Sequence, residues 1–322
     1  MGGSLFRTAA GVMLAAMLAM GVMASPAEAR GRLRVGVVVS ETSHQRAAAA
    51  RAPGYLERRS GGVLRGFRAA RRRAHMRVFV VRDHQLRSAR SLARFDVVVL
   101  PQQQYMDVQM RRSLVRYARR GGGVVAAYQT GRNLANGLPV VGQRNAATGR
   151  KYNKYNEWAQ LTRLFRATFV NDIVISGGYK VDLARDGKLA PYARRFWGGG
   201  VPPLRGIAYP DWQEVIKPKP GQRSMRPATV FVDPQGVRDC SRGGSCRTGR
   251  AARLHSGTAA SWTMRSGRGR VVYIGHHITQ HFLDYYGAGR ITNRQRARGR
   301  RVALTYLIAA AQWAGGMRRP GR

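Results

Sequence analysis

Four short runs of β-branched and other apolar residues constrain this chain more than any other feature: LRVGVVVS (33–40), MRVFVV (76–81), FDVVVL (95–100) and VVAAY (124–128). Each is continuously hydrophobic rather than alternating, which is the pattern of a strand buried on both faces. Helical stretches separate them. Over 62–75, Val63, Leu64, Phe67 and Ala70 form one apolar stripe, with Arg65, Arg68 and Arg72 largely outside it. Residues 86–92 predict a short helix, and 107–120 a longer one that starts on Asp107 and stops at Gly121. The order predicts an α/β architecture: a flavodoxin-like, doubly wound, mostly parallel sheet with helices on both faces.

Regularity weakens after residue 131. Residues 157–165 read as a helix, and 170–175, 178–183 and 228–232 as strands. The Gly/Pro-rich stretch 198–209 reads as loop, and the Arg/Gly-rich stretch 234–256 as a surface excursion. Residues 259–264 and 270–274 then predict paired strands, and 293–313 a helix that is very apolar from Val302 and stops at Gly315-Gly316. The domain expected is 30–316, one unit with an irregular insertion around 132–258, followed by a basic tail over 317–322.

FDVVVLPQQQYMDVQMRRSLVRYARRGGGVVAAYQTG (95–131) resembles the class I glutamine amidotransferase-like superfamily, and GRGRVVYIGHHITQHF with LIAAAQWAGG (within 267–316) is similar to the closing strand and helix of its ThuA-like and β-galactosidase-trimerisation-like branches. In catalytic members of that superfamily the turn after the fourth strand carries a cysteine nucleophile. Here it reads Ala127-Tyr128-Gln129-Thr130-Gly131, so the resemblance implies the fold without glutamine hydrolysis. Tyr128 also departs from the histidine-bearing turn of ThuA-like members. Resemblance to the trimerisation-like branch implies a carbohydrate-linked context and no reaction of its own.

In a doubly wound sheet the ligand crevice lies outside the carboxyl ends of the strands. That rule nominates Ser40, Glu41 and His44 after the first strand, and Gln102, Gln103 and Tyr105 after the third. It adds Tyr128, Gln129, Thr130, Arg132 and Asn133 after the fourth, and His276 and His277 after the last. Amides, imidazoles and hydroxyls of this kind suit a polyhydroxylated or amide-bearing ligand. Two sharper chemistries are open. Glu41 with His276 or His277 is an acid/base pair for hydrolysis if the loops meet. His277 and His281, one helical turn apart if a helix starts near Ile278, are a metal pair with Glu41 or Asp284 as third ligand. Against these, a carboxylate among so many arginines is more often a charge neutraliser, and no cofactor is expected.

Residues 1–29 read as a secretory signal: Arg7, an apolar stretch over 9–23, and Ala27-Glu28-Ala29 as the cleavage site. Export gives meaning to the two cysteines. Cys240 and Cys246 flank a flexible Ser/Gly/Arg loop, and a local disulfide is expected. Lys+Arg 57 against Asp+Glu 15 gives a formal charge of +42, nearly all of it arginine. Such a chain binds polyanions non-specifically at low salt, but no motif for sequence-specific nucleic-acid recognition is present, nor a membrane span after signal cleavage. The leading expectation is an exported, non-catalytic protein that binds a carbohydrate or other envelope ligand in the crevice. A Glu41/histidine hydrolase and a polyanion-binding envelope protein are the alternatives.

Overall fold

The computed structural model describes residues 31–49, 55–131, 133–134, 161–206, 211–239, 256–283 and 292–317. Its strands are β1 (Leu33–Val38), β2 (Met76–Val81), β3 (Val97–Leu100), β4 (Tyr105–Met106), β5 (Gly123–Ala127), β6 (Asn133–Leu134), β7 (Ala167–Leu183), β8 (Leu204–Arg205), β9 (Asp211–Pro218), β10 (Arg226–Asp239), β11 (Ala259–Ser266) and β12 (Gly269–Ile274). Its helices are α1 (Glu41–Ala49), α2 (Tyr55–Ala70), α3 (Asp83–Leu86), α4 (Ala89–Leu92), α5 (Val108–Arg119), α6 (Thr162–Phe165), α7 (Ala190–Trp197) and α8 (Asn293–Ala314), with a 3-10 turn over Ile278–Phe282.

Ten strands form one sheet in the order β2-β1-β3-β5-β12-β11-β10-β7-β8, with β9 also paired to β7; β4 and β6 form a separate short pair. From β2 to β12 the strands run parallel in the flavodoxin-like order. Beyond β12 every pairing is antiparallel. The sheet is therefore mixed, which corrects the expectation of a mostly parallel one. The cause lies in 167–266: a tight turn at Gly267-Arg268 folds β11 back on β12, and antiparallel neighbours need no helical crossover.

The segment read as two strands is the single strand β7, continuous through Gly177-Gly178 and paired along one edge with β9 and β8 and along the other with β10. Three elements, α7, β8 and β9, fall where the sequence reads as irregular or as loop, and β10 runs on to Asp239 into the stretch read as a surface excursion. Of the helix expected over 157–165, α6 is the described part; 151–160 lie outside the described residues. The signal segment 1–29, Arg132, Cys240, Cys246, Asp284 and 318–322 lie outside them as well.

Each face of the sheet carries its own core, because successive strand residues point to opposite faces. Val35, Val37, Val97, Val99 and Val125 pack with α2, α7 and α8. Val98, Leu100, Val124, Ala126 and Tyr273 pack with α3–α6 and with Ile216 of β9. The Tyr306 hydroxyl of α8 donates to Val181 O at 3.2 Å, tying this helix to the antiparallel half. Asp107 caps α5 as read from sequence, its Oδ1 accepting from Met110 N at 2.7 Å. Among the described residues no helix is long and apolar enough to cross a membrane.

Candidate functional site

The carboxyl ends of the parallel strands bring their loops to one pole of the sheet, and the sharpest of these is the turn after β5. Gln129 takes φ +63°, a region that side chains other than glycine seldom occupy. Four hydrogen bonds hold it there. Gln129 N donates to Glu214 Oε2 at 3.0 Å. Thr130 N and Oγ1 both donate to Ala127 O, at 3.1 and 2.6 Å. Gly131 N donates to Gln103 O at 2.8 Å. Gly131 itself has φ +69°, and a Cβ there would stand 2.3 Å from Leu161 Cδ1.

The carboxylate that anchors this turn comes from β9. Glu214 is 3% exposed, and the Tyr273 hydroxyl donates to the same oxygen as Gln129 N. Its approach depends on a missing side chain: Glu214 N donates to Gly275 O at 2.8 Å, and a Cβ on Gly275 would lie 2.3 Å from Glu214 O. Glycine at 275 is what lets β9 close over the end of β12.

After β3, Gln102 also has positive φ, +141°. Its Oε1 accepts from Arg59 Nη1 at 2.5 Å and from Thr279 Oγ1 at 3.2 Å. Its Nε2 donates to Gln129 Oε1 at 3.3 Å, and Gln129 Nε2 donates to the Tyr128 hydroxyl at 3.2 Å. A polar chain thus runs from a fully buried guanidinium on α2 through two carboxamides to a phenol. The Tyr128 ring meets His277 edge-on, centroids 3.7 Å apart. Gln280 Nε2 lies 2.6 Å from His277 Nδ1. An amide nitrogen only donates, so a neutral His277 carries its proton on Nε2. Such polarised chains are stronger than isolated pairs when every member is satisfied.

The switch point between β1 and β3 is filled by the chain's own groups. Gln103 Nε2 donates to Ser43 Oγ at 2.9 Å and to Tyr105 O at 2.8 Å, and Ser43 Oγ donates to Tyr105 O at 3.2 Å. His44 Nε2 pairs with Ser60 Oγ at 3.1 Å. Gln102, Gln103, Tyr105, Tyr128, Thr130, His276 and His277 are buried, while His44, Gln104 and Gln129 are half-buried. Asn133 lies in β6, paired beside Tyr105 in β4.

The sharper chemistries are not assembled among the described residues. Glu41 is exposed in the first turn of α1, and its Oε1 accepts from Gln45 Nε2 at 3.0 Å rather than from an imidazole. The H-H-x-x-x-H segment forms a 3-10 turn, in which residues four apart do not share a face. His281 packs against α8 instead, where a Cβ on Gly299 would stand 2.8 Å from its Nδ1. No group of three or more His, Cys, Asp or Glu is placed to hold a metal among the described residues. His276 is 1% exposed, and its Nε2 meets no hydrogen-bond partner among the described residues. Burial, then the proximity of the His281 and His277 imidazoles, pushes its pKa down to about 3, so it is neutral near pH 7.

Sequence reasoning missed Arg59, Glu214, Ser43 and Thr279. The strand-end rule had selected their partners, and Ser43 sits beside the nominated His44. Nothing in the sequence distinguished Arg59 from the other arginines.

No protein-family model matches the chain, and no curated protein sequence matches it. Solved structures do. A cold-adapted β-galactosidase from Rahnella sp. R3 superposes with TM-score 0.53 at 15% identity, over 90% of this chain and 32% of that one. A ThuA-like protein from Bacteroides uniformis superposes with TM-score 0.51 at 12% identity, over 89% of this chain and 92% of that one. This chain thus spans about a third of the β-galactosidase and nearly all of the ThuA-like protein. At these identities the likeness is one of fold: the chain has an α/β fold like that of the ThuA-like protein, with a partly antiparallel sheet.

Proposed function

We propose that this chain is an exported, non-catalytic binding protein that takes a carbohydrate or other cell-envelope ligand at the strand-end crevice, beside the half-buried His44, Gln104 and Gln129. The observation that carries this reading is the turn after β5, where a half-buried glutamine is held at φ +63° by Glu214. Strain of this kind costs about 1–3 kcal/mol and persists where the surroundings over-determine it. A carboxamide there is no nucleophile; with one N–H given to Tyr128 and one Oε1 lone pair to Gln102, it keeps one donor and one acceptor site for a sugar hydroxyl. The buried floor below it fixes the orientation of that amide through Gln102 and Tyr128. The neighbours in fold are a β-galactosidase and a ThuA-like protein, which supports a carbohydrate as the ligand class. The signal-like segment 1–29 supports export.

Titration calorimetry of the purified chain with galactose, lactose and cell-wall oligosaccharides tests the reading. One of these sugars should bind at high salt, and Gln129→Ala and His44→Ala should each weaken it by about tenfold or more. Unchanged affinity in both variants would place the site elsewhere, and no binding by any of the sugars would end the carbohydrate reading.

A further inference from the structure

Two cavities lie at the opposite pole of the sheet from the crevice, around the tip of the β11–β12 hairpin. The first, about 570 Å³, is lined by twelve residues, of which five are cations: Lys188, Arg223, Arg226, Arg265 and Arg270. The second, about 500 Å³, is lined by nine residues, of which four are cations: Arg119, Arg163, Arg166 and Lys219. Cations make up 57 of 322 residues in the whole chain, so both linings hold more than twice the share that composition alone supplies. No acidic side chain lines either cavity, and none of the nine cations is ion-paired among the described residues.

The two cavities flank the hairpin tip, the first on the α7 and α8 side of the sheet and the second on the α5 and α6 side. The segment joining β9 to β10 lines both, with Lys219 in the second and Arg223 in the first. The hairpin does the same, with Arg265 in one and Ser266-Gly267 in the other. The first cavity also has an aromatic wall. Trp313 lies there with the Arg270 guanidinium 5.7 Å from its ring centroid, and Arg270 Nη1 donates to Trp313 O at 3.0 Å.

We propose that this pole binds a linear anionic glycan, with its sulfate or carboxylate groups taken by the cavities on either side of the hairpin tip and a sugar ring against Trp313. Guanidinium forks match such oxyanions two bonds at a time, which point-like cations do not. Two recessed cavities separated by a turn fit a thin flexible chain, and a duplex nucleic acid is too wide to enter them. The site is independent of the crevice: it shares no residue with it and stands whether or not a neutral sugar binds there.

The test is fluorescence anisotropy of the full chain with labelled heparin-type and oligogalacturonate oligosaccharides, and with a single-stranded DNA of equal charge, at about 0.15 M salt and above. Two double variants probe the cavities, Arg223→Gln with Arg265→Gln, and Arg163→Gln with Lys219→Gln. A third, Arg294→Gln with Arg298→Gln, removes the same charge from exposed positions at the far end of α8. The first two should each weaken glycan binding by about tenfold or more and reduce the salt slope by about two, while the third should change affinity less than about twofold. Arg223→Lys with Arg265→Lys keeps the charge and should give an intermediate affinity. Equal losses in all three neutralised variants would mean that diffuse charge does the binding and would overturn the proposal. Tighter binding of the DNA than of either glycan would overturn it in favour of a nucleic acid.

Discussion

Glu214 answers two buried donors at once, Gln129 N and the Tyr273 hydroxyl. Glu214→Ala takes this carboxylate from both, at a position that is 3% exposed. An unsatisfied buried donor costs about 1–3 kcal/mol, so the variant should lose at least about 2 kcal/mol in urea unfolding. Glu214→Gln keeps one oxygen and should lose less. Amide exchange at Gln129 reads the cause directly: it should speed up far more in Glu214→Ala than exchange in the core of β3. His276 sets a pH dependence of definite sign. An unfolded imidazole titrates near about 6.5, whereas His276 stays neutral to about 3 in the fold. Between those values the unfolded chain takes up a proton that the folded chain refuses. Acid therefore removes stability, by up to about 1.4 kcal/mol per pH unit from this group, and above about pH 6.5 the group contributes no slope. His276→Gln should flatten urea-derived stability between about pH 6 and 4; an unchanged slope would mean that the imidazole is protonated inside the fold. The strand-end rule reaches Gln102, Gln129 and His276 because it depends only on where strands stop. It could not find Arg59, one of 51 arginines, or Glu214, since a lone acid in an irregular-looking stretch reads as surface.

Strand β9 is the element on which the crevice depends, and its register against the end of β12 depends on Gly275. Gly275→Ala places a methyl 2.3 Å from Glu214 O, a backbone atom that cannot swing aside. Forcing extra volume into a packed site costs about 1–3 kcal/mol. The variant should be destabilised by that amount and should show the same accelerated Gln129 exchange as Glu214→Ala, because both withdraw the same carboxylate. A variant that loses stability while Gln129 stays protected would separate β9 from the turn. The contrast between β9 and β3 explains which elements were legible. In β3, VVVL is buried at every position, and such a run announces itself. In β9, DWQEVIKP mixes charged and apolar residues, and its buried members include Gln213 and Glu214. Antiparallel and edge strands carry this weaker period-two signal, so β1, β2, β3, β5 and the β11–β12 pair were placed closely, while β7 to β10 were not. The short α7, APYARRFW, was passed over because its apolar stripe is only two turns long.

At the scale of the molecule the unbalanced quantity is charge. The formal charge is +42, and the ion pairs described are half-exposed ones such as Arg34–Asp96 and Arg87–Asp107, each worth little in water. Two guanidiniums, Arg59 and Arg111, are fully buried. Arg111 donates to Met106 O at 3.1 Å, and burial, against the opposing pull of Asp107, lowers its pKa to about 10; it is still charged near pH 7. Most of the repulsion is therefore between surface arginines, where salt acts: the screening length falls from about 30 Å at 0.01 M to about 8 Å at physiological ionic strength. Self-repulsion of this size opposes the compact state, and screening it should stabilise the fold. The melting temperature should rise between about 0.01 and 0.15 M sodium chloride, by about 2–4 °C for each kcal/mol of repulsion removed. The nine cations of the hairpin pole sharpen the expectation. If that pole is a built oxyanion site, sulfate at equal ionic strength should raise the melting temperature further than chloride, and neutralising Arg223 and Arg265 should shrink the difference. General exclusion of sulfate from protein surfaces also stabilises folds, but it is blind to which arginines remain. A sulfate increment that is the same in this double variant as in Arg294→Gln with Arg298→Gln would assign the whole effect to solvent.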